Sequence, residues 1–143
     1  MTELGLSVPP EAFDDEEDQP LPVNDSGYDF QIVGEKEGNS KDGSPQINYT
    51  IRAVGYEDGY MPIWNRVTWP NPADDPTKAK NKRMMMKRFF YLIGKWDEVK
   101  AAGGEVPSLL DHTFHGMIAQ REWPQGSGSY QTDLVLPRLP KGV

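Results

Sequence analysis

The sequence predicts a mainly β domain with one amphipathic helix between its third and fourth strands, behind an acidic N-terminal arm. Three observations point there. Fourteen glycines and 13 prolines in 143 residues make turns frequent and long helices few. Several short runs alternate apolar and polar residues with a period of two, the mark of half-buried strands. Only the stretch after Pro76 repeats its apolar residues convincingly at helical spacing. Hydrophobic residues make up 36% of the chain and the mean hydropathy is −0.69. Both fit a thin core, an unstructured segment, or the two together.

Residues 1–25 hold eight acids (Glu3, Glu11, Asp14, Asp15, Glu16, Glu17, Asp18, Asp25) and no Lys or Arg. With four prolines and few large apolar side chains, this stretch cannot offset its ordering entropy and reads as a disordered arm. The remaining 26–143 form the expected domain, with 14 acids against 15 bases. The formal charge of −7 therefore belongs to the arm, not to the body.

The first strand is expected at Tyr28–Ile32, followed by a polar turn region from Gly34 to Pro45. Ile47–Val54 alternates again, Gly55–Gly59 turns, and Pro62–Trp69 makes the third run. Pro70, Pro72 and Pro76 then forbid a central strand. Asp75 is a good N-cap, Pro76 suits the first helical position, and Gly94 is a C-cap glycine. On that helix Met85, Phe89, Leu92, Ile93 and Trp96 share one arc, with Met86 and Phe90 at its edge. A second, weak helical patch runs from Trp96 to Ala102. Phe114–Glu122 and Tyr130–Leu136 are the last β-like runs, separated by the Gly126-Ser127-Gly128 loop. Three strands, a helix and two strands is the connectivity of an OB-fold, a small five-stranded Greek-key barrel; an SH3-like barrel and a generic α+β sandwich are its rivals.

Chemistry is sparse. No Cys means no disulfide, Cys-ligated zinc or thiol nucleophile. No phosphate-binding loop, nucleophile elbow or zinc-protease motif occurs. Asp111, His112 and His115 are the only metal-like grouping, and a weak one. The expectation is a protein that is not an enzyme, with no cofactor and no metal. There is no run long and apolar enough for a membrane span and no secretory signal, so a cytoplasmic location is expected.

Parity turns Ile47, Tyr49, Ile51, Ala53, Ile63 and Val67 inward, which leaves Arg52, Trp64 and Arg66 outward on neighbouring strands. An exposed indole between two guanidiniums suits a single-stranded nucleic acid: the ring stacks on bases and the cations meet phosphates. In the opposite register Trp64 is buried. Tyr49, Trp123 and Tyr130 are further candidates for the stacking surface. From Lys78 to Lys95 there are seven bases and no acid. Of these, Lys82, Arg83, Lys87 and Arg88 are expected to guide the backbone, with Arg121 adding a phosphate contact. An unmixed basic face is otherwise an ordinary solvated one. The arm is a solubilising tail, a hook for a partner's basic pocket with Phe13 as anchor, or a nucleic-acid mimic.

One order of features spans residues 27–137. It runs from Gly27-Tyr28 and Ser40-Lys41-Asp42-Gly43 through an Ile-x-Tyr strand and an aromatic third strand. Leu92-Ile93-Gly94 then closes the helix, a Leu-Leu segment precedes His115-Gly116, and Leu136-Pro137 ends the last strand. This order resembles the phage-encoded OB-fold single-stranded DNA-binding proteins of replication and recombination modules. The resemblance implies sequence-independent coating and protection of single-stranded DNA in a host bacterial cytoplasm. Phage or host recombination and replication proteins are partners it allows for the arm. It departs from bacterial single-strand binders, whose acidic tail is C-terminal. The alternative is a protein–protein module, a phage structural or host-takeover factor acting through the arm.

Overall fold

The computed structural model describes residues 5–143. The first four residues of the expected arm, Glu3 among them, lie outside the described residues. β1 (Tyr28–Asn39), β2 (Pro45–Ala53) and β3 (Ile63–Thr68) form an antiparallel meander. α1 (Pro76–Leu92) and α2 (Trp96–Ala101) follow, then β4 (Thr113–Gly116), β5 (Ile118–Glu122) and β6 (Tyr130–Leu134). Among the described residues the fold is mainly β with one main helix, six strands and two sheets, ordered β3-β2-β1-β4 and β5-β6.

Two strands depart from expectation for local reasons. β1 runs on to Asn39 instead of stopping at Ile32. Its register against β2 shifts between Ile32 and Gly34, and this bulge at Val33 reverses the alternation that marks a strand in sequence. The single run Phe114–Glu122 is two strands. β4 pairs with β1, Met117 intervenes, and β5 turns away to pair with β6.

No barrel closes among the described residues, because no ladder joins the two sheets. The chain just before the domain accounts for part of this. Gln19 makes a parallel bridge with Tyr60. Its N–H donates to the Gly59 carbonyl and its carbonyl accepts from the Met61 N–H, both at 2.8 Å. From the other side, Gln120 Nε2 donates to the Leu21 carbonyl at 2.7 Å. Gln19–Leu21 thus stands between the approach to β3 and the β5–β6 hairpin. Leu21 is only 2% exposed, and the Tyr28 hydroxyl donates to the Pro22 carbonyl at 2.6 Å. A buried leucine and four hydrogen bonds thus fix the segment 19–22, ahead of the boundary expected at 25/26, against the body. Residues 5–20 remain exposed, with a single 3-10 turn at Pro10–Phe13.

The core lies between the inner face of the larger sheet and α1. Phe30, Ile32, Tyr49, Ile51, Ile63 and Val67 meet Phe89, Phe90 and Ile93. Tyr49 and Phe89 stack with ring centroids 5.2 Å apart and planes at 20°. The Asp75 carboxylate caps the helix by accepting from the Lys78 N–H. The buried stripe is turned from the expected arc. Both phenylalanines reach the sheet, so Met86 packs inward and Met85 is 48% exposed. No described helix is long and apolar enough to cross a membrane.

Candidate nucleic-acid interface

Strand alternation builds the outer face. In β3, Ile63 and Val67 are buried, so Trp64 and Arg66 stand outward, Trp64 at 51% exposure. The register places Trp64 beside Thr50, and Thr50 beside Gly34. A Cβ on Gly34 would come within 3.2 Å of the Thr50 Cβ, so this position keeps the floor next to the indole low. The neighbouring row is Arg66, Asn48 and Lys36. Arg52 is on the same face beside Gln31. Its guanidinium donates to the Glu57 and Tyr60 carbonyls at 3.2 Å each, so it braces the β2–β3 loop.

Between β3 and β6 lies a cleft of about 730 Å³, a volume on the scale of ligand sites. Trp64, Asn65 and Arg66 form one wall, and Tyr130, Thr132 and Asp133 the other. Tyr130 is 57% exposed. Asn48 and Asn65 also line the space, and each has a buried amide atom with no partner, Oδ1 of Asn48 and Nδ2 of Asn65. A buried polar group left unpaired costs on the order of 1–3 kcal/mol. Arg121 borders the cleft through Asp133, 3.2 Å from its Nε, and donates to Gln131 at 3.3 Å.

Trp64, Arg66 and Tyr130 are therefore brought to one site, with Arg52 and Arg121 at its margins. Other expected members are not. Tyr49 is 0% exposed and belongs to the core, out of reach of any base. Trp123 is exposed at the far end of β5 and does not line the cleft. The helical bases go elsewhere because α1 packs on the inner face of the sheet while Trp64 stands on the outer. Arg83 and Lys87 line a separate groove beside α2. Arg88 is half-buried with its Nε unpaired.

Lys82 is committed to the fold. Its ammonium lies 2.9 Å from Asp74, 3.1 Å from Asp42 and 2.7 Å from the Ser44 hydroxyl. Lys78 joins Asp42 at 3.0 Å. The Ser40 hydroxyl, then Lys78 and Lys82, hold the Asp42 carboxyl far below the usual carboxylate range. Asp74 is lowered too, by Lys82 and the Asn71 N–H. Burial works against the Lys82 charge, but Asp74 and Asp42 outweigh it and raise its pKa. Asp42 also raises that of Lys78. Carboxyls depressed in the folded state contribute stability above their unfolded value near pH 4, and lose it as pH falls. Ammoniums raised in the folded state contribute below about pH 10.4 and lose it as pH rises. Thermal melts should thus hold a plateau through neutral pH and fall on its acid side. Asp42→Asn should flatten that acid limb; an unchanged limb would place the acid sensitivity elsewhere.

The two histidines do not converge. His112 Nε2 contacts the Ile93 carbonyl, whereas His115 sits 3.0 Å from Asp29 and 2.9 Å from the Ser26 carbonyl. Among the described residues no group of three His, Cys, Asp or Glu is placed to hold a metal.

Sequence reasoning missed Lys36, Asn48 and the Gln19–Leu21 rim. Lys36 was legible only through the bulge that restores it to the Arg66 row. Asn65, an amide at an inward position of β3, was the visible signal of a polar site at the strand's edge. No protein-family model matches this chain, and no curated protein matches it.

Proposed function

We propose that this protein binds single-stranded DNA without reading its sequence and shields it during phage replication or recombination in the host cytoplasm. On this reading the frame is an OB-type barrel left open between β3 and β6, and the opening receives the strand. The protein supplies binding and no bond-making step. The observation that carries the reading is the exposed Trp64 indole beside Arg66, facing Tyr130 across one cleft. Aromatic faces stack on any base, and guanidiniums meet phosphates wherever they fall. The ordered likeness to phage single-strand binders supports the same reading.

The test is titration of fluorescently labelled oligo-dT at two salt concentrations. With three or four cations meeting phosphates, a fourfold rise in salt should weaken binding by roughly tenfold to a hundredfold. Failure to bind at low salt, or equal competition by duplex DNA, would overturn the proposal.

A further inference from the structure

A second concavity lies away from the cleft. It is a groove of about 520 Å³ between α1 and α2, beside the end of β3. Trp69, Met84, Met86, Phe90, Trp96 and Val99 give it an apolar lining. Its rim is cationic: Arg83, Lys87 and Lys100 all border it, and an incoming acid there displaces the terminal Val143 carbonyl from Lys87 and Asp97, 3.5 Å away, from Lys100. Lys87 and Lys100 stand 5.4 and 5.8 Å from the centre of the Trp96 ring. The buried Trp96 Nε1 has no acceptor. An apolar trough with a basic rim and a spare donor fits a short segment that carries an aromatic side chain among carboxylates.

The chain contains one such segment. Phe13 lies among Glu11, Asp14, Asp15, Glu16 and Glu17. The turn at Pro10–Phe13 buries none of its residues, and Phe13 is 77% exposed. The arm is unspent in its own molecule, and its root makes its own groove a long reach. Gln19 is fixed beside Tyr60, ahead of β3, whereas the groove opens beside Trp69, past its other end. The six residues of β3 alone separate these points by about 17 Å. The six residues from Phe13 to Gln19 span about 20 Å when fully extended, so Phe13 could reach its own groove only with the arm drawn straight along β3, whereas here it stands exposed. We infer that the groove between α1 and α2 receives Phe13 and its flanking carboxylates from a second copy of this chain. The ring enters the Trp- and Met-lined trough, and the acids face Arg83, Lys87 and Lys100. Exchanged reciprocally, the two arms close a twofold dimer; passed on head to tail, they leave one arm and one groove free for further copies.

The test uses the full chain without DNA, so its outcome is independent of the nucleic-acid reading. Sedimentation of the wild type should show mass rising with concentration, and less so in high salt. Phe13→Ala, or the exposed pair Arg83→Glu and Lys100→Glu, should each sediment as a monomer. Mixed together, these two variants keep one intact arm and one intact groove, so they should form a dimer and nothing larger. A wild type that stays monomeric overturns the inference and leaves the groove to a foreign partner. So does a Phe13→Ala variant that still associates. A tryptophan fluorescence change on Phe13→Ala at constant monomer mass also overturns it, by placing the arm in its own groove.

Discussion

Phe89→Ala is expected to lower the unfolding free energy by about 3–5 kcal/mol, the range for truncating a large buried aromatic. Phe89 is fully buried at the centre of the contact between α1 and the larger sheet. Its ring stacks on Tyr49 and meets Phe90 edge-on at 5.7 Å. Both geometries add to the value of the buried area. The neighbours cannot easily fill the void, because Tyr49 is held in β2 and Phe90 is already committed to its own site. The measurement is urea unfolding, with the midpoint falling at a nearly constant slope. A loss below about 1 kcal/mol would mean that α1 is not the lid of this core.

Trp64→Ala should leave that core intact and weaken oligo-dT binding by about 1–3 kcal/mol, roughly 5- to 150-fold in affinity. The fold does not depend on this indole, which is half exposed on the outer side of an edge strand. Any loss therefore reports on the ligand. Trp64→Phe, which keeps a smaller stacking face, should fall between the two. Fluorescence titration at low salt reads the affinities, and thermal melts confirm that all three proteins fold alike. Equal affinity for wild type and Trp64→Ala would remove the cleft from the proposed function.

The parts of this molecule that sequence revealed are those governed by local periodicity. Ile63, Trp64, Arg66 and Val67 alternate with Asn65 as the awkward inward member, so spacing offered the face on which Trp64 stands but left the opposite register open. Asp75-Pro76 announced the helix start in the same way. The rest turns on long-range partners. The bulge at Val33 hides the second half of β1, and Met117 divides a continuous-looking run because two different strands compete for its halves. Lys82 sits within an unbroken basic stretch, yet its ammonium is spent on Asp42, 40 residues earlier. A charge count along the chain cannot detect such pairing. Nor could it show that Gln19–Leu21, next to an acidic run, would be held against the body.

The tie between Lys82 and Asp42 has a mechanical corollary. It bolts the tip of the β1–β2 ribbon to a helix, so that ribbon cannot swing like a finger. Among the described residues the β5–β6 hairpin has no equivalent fastening at its tip, where Trp123 and Tyr130 are exposed. Of the two jaws around the cleft, the one bearing Trp64 is then the anvil and the one bearing Tyr130 the hammer. On the proposed reading, adjustment to strands of different girth is then expected of the smaller jaw.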